Sequence, residues 1–163
     1  EMCIRDRPIT VVFYGDHLPG IYSSASEDDN NSLALHLTDY FIWSNKASSS
    51  QGNEIDNADY SSPNFFVAQA AEHMDAKVSP YLAFLTQMHE KISAMEPPVV
   101  NNIQGWDRIP EGQNIYLDAD GKPMAESDFD TETKQLLADY QLIQYDITSG
   151  KNYLKDTDFM QLP

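Results

Sequence analysis

The sequence predicts an α/β fold, and three observations carry that prediction. Residues 9–14 (Ile-Thr-Val-Val-Phe-Tyr) form a nearly continuous apolar run with β-branched members. Such a run suits a strand buried on both faces of a parallel sheet. A second run, Asp39-Tyr40-Phe41-Ile42-Trp43-Ser44-Asn45, reads as the next strand. Beyond residue 62 the character turns helical, with Ser-Pro pairs at 62–63 and 79–80. Serine serves as N-cap there and proline as the first helical residue.

The elements follow in order. Strand 9–14 stops at Gly15-Asp16-His17-Leu18-Pro19-Gly20, where glycine and proline forbid a regular continuation. Residues 22–32, rich in Ser, Asp and Asn, read as an exposed loop, and residues 46–62 are polar and turn-rich. A helix is expected over Asn64 to His73. From Tyr81 to Met95, Leu82, Leu85, Met88, Ile92 and Met95 recur at three- and four-residue steps, which predicts one helix ended by Pro97-Pro98. Asp120-Gly121 between short strand-like arms over Asn114 to Met124 predicts a hairpin. Thr131 is the expected cap of a last helix that buries Leu136, Leu137, Tyr140 and Ile143 and leaves through Gly150. No internal repeat or heptad pattern occurs.

Length and composition narrow the function classes. A chain of 163 residues is one compact domain or a piece of a larger one, and 41% apolar residues supply a core. The net charge of −16 would repel a phosphate backbone, so no nucleic-acid partner is expected. The plain reading of the acidity is a solvated face with acidic loops. The one cysteine, Cys3, permits no internal disulfide. No run approaches the roughly 18 apolar residues that span a bilayer. Arg5, Asp6 and Arg7 interrupt the start, so any export signal is expected upstream of Glu1. Residues 1–7 do not merge into the strand that follows and read as a leader foreign to the rest. Residues 8–155 are then the body of an open-ended fragment, and 156–163 its tail.

Gly15-Asp16-His17 is the position best suited to chemistry. In open α/β sheets, working groups sit past the carboxyl ends of strands. Adjacent residues on a flat strand point to opposite faces, so both can reach one ion only if the backbone turns, which Gly15 is expected to allow. Carboxylate oxygen with imidazole nitrogen suits zinc, manganese or a similar divalent ion, although two ligands alone do not complete a site. The plainer alternative is a turn in which Asp16 bonds nearby amides while His17 packs. The other candidates have plain readings too. His73 and His89 are expected to pack at the surface or half-buried on helices. Asp118, Asp120 and Gly121 lack the glutamate of a calcium loop. Trp43, Trp106, Tyr140, Tyr145 and Tyr153 are expected in packing roles.

Val11-Val12-Phe13-Tyr14-Gly15-Asp16-His17-Leu18-Pro19-Gly20 resembles the late metal-binding strand of the lipoteichoic-acid-synthase-like phosphoglycerol transferases of the sulfatase/alkaline-phosphatase superfamily. Residues 79–92, from Ser79-Pro80-Tyr81 to Lys91-Ile92, resemble that family's helix after the sheet. Tyr140 to Ile147, with Gly150-Lys151-Asn152-Tyr153, resembles its closing segment. The likeness runs from about Pro8 to about Leu154. Gly-Asp-His is shared across the superfamily, while the other two blocks favour the phosphoglycerol-transferase branch.

The resemblance implies the C-terminal part of an alkaline-phosphatase-like sandwich, a mixed sheet flanked by helices, followed by a small α+β tail. It implies that Asp16 and His17 are metal ligands, for manganese first, with magnesium or zinc as alternatives. It places the nucleophilic threonine, an acidic ligand and the substrate-binding histidines upstream, so no catalytic residue is assigned within this chain. His36, Thr38 and Asp39 match no position of that family. The implied activity moves glycerol phosphate from a phospholipid such as phosphatidylglycerol to a cell-envelope polymer, through a covalent step on threonine. The implied setting is the outer face of a bacterial membrane, reached through upstream segments, and the fragment alone is expected to be inactive. The alternatives are a sulfatase or phosphodiesterase of the same superfamily, or a non-enzymatic acidic interaction domain.

Overall fold

A computed structural model describes residues 6–17, 36–96 and 114–163. The chain divides into two compact units, Glu1–Gln51 with Pro97–Asn114, and Gly52–Glu96 with Ile115–Pro163. The expected loop at 22–32 and Trp106 lie outside the described residues.

The first unit is built on β1 (Thr10–Tyr14) and β2 (Tyr40–Ser44). They pair antiparallel, with Thr10 opposite Ser44, Val12 opposite Ile42 and Tyr14 opposite Tyr40. Side chains alternate across a pleated strand, so Val11, Phe13, Phe41 and Trp43 share one face. That face is open, with Phe13 58% and Trp43 49% exposed, and Phe13 and Phe41 stack at 5.1 Å. The parallel, doubly buried strand expected from the apolar run is therefore not what the described residues form. An apolar β-branched run encodes a preference for burial but not the direction of its partner. A two-stranded ribbon cannot cover its own faces. Trp43, expected to pack, is exposed for the same reason.

Asn45 secures the start of β1. Its side-chain oxygen accepts from the Ile9 amide at 3.1 Å, and its amide nitrogen donates to the Arg7 carbonyl at 2.8 Å. The hydroxyls of Thr10 and Ser44 meet across the ribbon at 2.8 Å.

The second unit runs through a 3-10 turn (Pro63–Phe65), α1 (Phe66–His73), α2 (Pro80–Lys91), β3 (Ala94–Glu96), β4 (Ile115–Leu117), β5 (Pro123–Met124), a 3-10 turn (Glu126–Asp128) and α3 (Thr131–Thr148). Two short 3-10 helices, Tyr153–Asp156 and Asp158–Met160, follow. The three strands form an antiparallel sheet in the order β3-β4-β5. Phe65, Ala68, Leu85, Met88, Ile92, Tyr116, Phe129 and Leu137 make its core. Each large side chain buried there contributes about 1.5–3 kcal/mol by removal from water.

Three local expectations change. The helix expected to reach Met95 ends at Lys91, because Ile92 is extended (φ −133°, ψ 96°) and the Ser93 amide turns to the Leu117 carbonyl. Met95 then pairs with Tyr116 in the sheet, so its helical spacing was coincidental. The cap of α3 is Asp130, whose carboxylate accepts from the Thr133 amide at 2.7 Å, with Thr131 the first helical residue. Ser62 stands where an N-cap was expected, but its hydroxyl donates to Asn64 Oδ1 and accepts from the Met95 amide at 3.0 Å. It thereby ties the helical segment to β3. Ser79 does cap α2, accepting from the Leu82 amide.

The hairpin at β4–β5 forms as expected. The Asp118 carboxylate accepts from the amides of Asp120 and Lys122, both at 2.9 Å. The Gly121 amide donates to the Asp118 carbonyl at 3.0 Å. Gly121 adopts φ +75°, and the Tyr60 ring fills the space a Cβ would need, so this position requires glycine twice over.

Past α3 the chain turns back on Asp146. The two carboxylate oxygens of Asp146 accept from the amides of Tyr153 and Leu154, each at 3.0 Å, and its carbonyl accepts from the Asn152 amide. Asn152 takes the left-handed conformation this reversal needs (φ 55°). Phe159 then lies against Tyr81 of α2, with ring centroids 6.0 Å apart. Tyr145 and Tyr153, expected to pack, are 61% and 71% exposed. The knot at Asp146 takes the Tyr153 backbone amide, and both rings stay outside.

Candidate metal centre

The end of β1 is shaped by its antiparallel partner. Continuing the register past Tyr14 and Tyr40 sets Gly15 opposite Asp39, and the Gly15 amide donates to the Asp39 carbonyl at 3.1 Å. The Thr38 hydroxyl donates to the Gly15 carbonyl at 2.6 Å. Both backbone groups of the residue before Asp16 are thus held by the segment leading into β2. Gly15 does not take a positive φ. Its role is room: a Cβ there would stand 3.0 Å from Thr38 Cβ.

Asp16 and His17 follow at once. Their side chains point outward together, Asp16 Oδ2 lying 3.7 Å from His17 Nε2, with exposures of 83% and 76%. The pair therefore stands side by side at the strand's end and outside any core. His17 does not pack as the plainer alternative has it. Two donors that each sit about 2.1 Å from one ion can be at most about 4.2 Å apart, so this separation fits joint coordination. The donor chemistry, one hard oxygen and one imidazole nitrogen, suits manganese, magnesium or zinc. Among the described residues, no group of three or more His, Cys, Asp or Glu is poised around an ion. The pair thus fits part of a ligand set.

The remaining histidines of interest lie in the second unit and are more deeply buried than the sequence suggests, each 4% exposed. The His89 Nε2 lies 3.2 Å from the Tyr60 carbonyl and 3.4 Å from the Gln69 amide nitrogen. Its ring meets Phe65 edge-on at 5.1 Å. Ser61 donates to Gln69 Oε1 at 2.6 Å and completes the polar group. Burial pushes the His89 pKa down, partly opposed by the Tyr60 carbonyl and by Glu90. Nearby, burial and then the charges of Asp56 and Glu90 push the Glu72 carboxyl up. These groups hold the fold together and offer no open coordination site.

Sequence reasoning missed the contribution of Thr38. The signal was present, since an antiparallel pairing of the two apolar runs brings Thr38-Asp39 opposite Gly15-Asp16. Expecting a parallel sheet concealed it.

The fold is similar to that of the sulfatase superfamily. The sulfatase family model matches residues 4–76, which include β1, the Asp16–His17 pair and β2. The chain is also similar to the solved structure of the Streptococcus pyogenes phosphoglycerol transferase GacH in complex with sn-glycerol-1-phosphate. That likeness has 35% identity, a TM-score of 0.62 and coverage of 96% of this chain. It supports the lipoteichoic-acid-synthase-like branch and the alkaline-phosphatase-like fold expected above. The chain spans 32% of the length of that structure. A search of curated proteins finds no match. Among the described residues, no helix is long and apolar enough to cross a membrane.

Proposed function

We propose that this chain supplies two metal ligands, Asp16 and His17, to a phosphoglycerol transferase. The enzyme would move glycerol phosphate from a phospholipid such as phosphatidylglycerol to a cell-envelope polymer. The observation that carries this is the paired, outward-facing carboxylate and imidazole within the stretch matched to the sulfatase family, in a chain similar to a phosphoglycerol transferase. The sn-glycerol-1-phosphate in that relative's structure supports a glycerol-phosphate substrate. The bound ion, manganese first and magnesium or zinc next, would shield charge on phosphoryl oxygens and acidify a hydroxyl nucleophile. The role of this chain's residues is to present two donors at one strand end. The nucleophile and the remaining ligands would come from sequence outside this chain, and the site of action would be the outer face of a bacterial membrane.

A sulfatase or phosphodiesterase is the second reading, favoured by the breadth of the family match at residues 4–76. The test is the intact protein with manganese, supplied in parallel with phosphatidylglycerol and with aryl sulfate and phosphodiester substrates. Release of diacylglycerol that disappears in Asp16→Ala and His17→Ala is the expected result. Turnover of only the sulfate or the simple diester would replace the first reading with the second.

A further inference from the structure

We infer that Thr38 is a positioning residue for the Asp16–His17 pair, an inference that rests on the metal-binding reading above. Two ligand side chains on consecutive residues share one short backbone, so small rotations of the peptide before them swing both donors. In this protein the residue before them is Gly15, the most freely rotating residue available. An unrestrained glycine there would disperse the pair over many orientations.

The structure shows three restraints on that glycine, all from residues 38 and 39. The Asp39 carbonyl takes the Gly15 amide at 3.1 Å, the last rung of the ribbon. The Thr38 hydroxyl donates to the Gly15 carbonyl at 2.6 Å, holding the far side of the same residue. The Thr38 Cβ stands 3.0 Å from where a Gly15 Cβ would be, so the threonine body occupies the space that glycine leaves open. The first restraint is ordinary strand pairing. The other two depend on the side chain at 38. The Gly15 carbonyl belongs to the peptide bond that begins Asp16, so anchoring it sets the direction from which Asp16 and then His17 depart. The threonine hydroxyl bonds neither donor side chain directly; it acts on both through the Gly15 backbone.

Replacement of Thr38 separates this role from general stability. Thr38→Val keeps the shape and removes the hydroxyl, while Thr38→Ser keeps the hydroxyl and removes the methyl. Manganese is titrated into the isotope-labelled intact protein, and paramagnetic broadening of the Asp16 and His17 signals gives an affinity even when binding is weak. Exchange protection of the Val12 and Phe41 amides reports ribbon pairing in the same samples. Asp16→Ala separates this site from diffuse binding to an acidic surface. The expected result is a loss of affinity of roughly tenfold in Thr38→Val, the low end for partners behind metal ligands. Ribbon protection should stay unchanged, and Thr38→Ser should bind within about twofold of the wild type, with its hydroxyl doing the same work. Wild-type affinity in Thr38→Val would overturn the inference. So would a loss in Thr38→Val that follows the loss of ribbon protection, or a Thr38→Ser as weak as Thr38→Val. Absence of broadening at Asp16 and His17 in the wild type would remove the metal reading itself, and the positioning role with it.

Discussion

His89 shows how a single buried group sets the pH response of the second unit. Its pKa is pushed below the ordinary 6.5 by burial, so the folded protein sheds a proton that the unfolded chain binds. The stability it contributes is complete above pH 6.5 and is lost as pH falls below that value toward the depressed one. Glu72 works in the opposite sense. Its pKa is raised above 4.5, so it favours the fold at low pH and that contribution is lost as pH rises through the raised value. Melting temperatures measured from about pH 8 down to about pH 5 should fall on the acid side in the wild type. The fall should flatten in His89→Gln, which keeps a donor for the Tyr60 carbonyl but cannot be charged. An unchanged acid slope in that variant would assign the effect elsewhere. Gly121 offers a second residue-level test. Gly121→Ala should destabilise through both φ and collision with Tyr60, by about 1–3 kcal/mol. In a Tyr60→Ala background only the φ component should remain, and denaturant midpoints of the four proteins would show it as non-additivity.

At the scale of the element, the Asp146 knot fastens the start of the last segment, at Tyr153 and Leu154, by one carboxylate. Asp146→Ala leaves the Tyr153 and Leu154 amides without their acceptor and should cost about 2 kcal/mol, since hydrogen bonds to charged acceptors contribute more than neutral ones. The segment after Thr148 should then become the first site of proteolysis, read by limited digestion and mass spectrometry. If digestion still begins elsewhere, the Phe159–Tyr81 contact holds the segment without the knot. Most elements were legible in the sequence, because Ser79-Pro80, Asp120-Gly121 and the spacing of Leu82, Leu85 and Met88 state local rules. The errors fell where a partner distant in sequence decides. Met95 kept helical spacing but was claimed by β4. The β1 run spoke of burial and was silent on direction. Asp16 and His17 were visible from the strand's abrupt end, whereas Thr38 could be found only through the register of the ribbon.

For the whole molecule, the two units differ in what each buries. The second has eight core residues contributed by helices, turns and strand β4, and its polar groups tie segments far apart in sequence. The ribbon of the first has two strands and an open aromatic face, and two strands alone are marginal in water. Hydrogen exchange should therefore separate them. The amides of α2, β4 and α3 should open together with the highest protection, and those of β1 and β2 at lower cost. Equal protection throughout would mean that the ribbon is covered in solution. The chain spans 32% of a similar structure, and added protection on β1 in any longer protein that contains it would identify the ribbon face that such a protein covers.

The Tyr60 ring over Gly121 also bears on how the protein ages. Aspartate followed by glycine is the sequence in which a backbone amide most readily attacks the preceding carboxyl, giving a cyclic imide and then an isoaspartyl linkage. That attack needs the glycine nitrogen to be free and to rotate toward the carboxyl. Here the Gly121 amide is engaged with the Asp118 carbonyl, its φ is fixed at +75°, and an aromatic ring closes the space beside it. Folding therefore shields Asp120 from a reaction that the unfolded chain invites. On prolonged warm incubation, isoaspartate should accumulate at Asp120 in a peptide of residues 114–124 and stay low in the folded chain. Tyr60→Ala should let the damage begin.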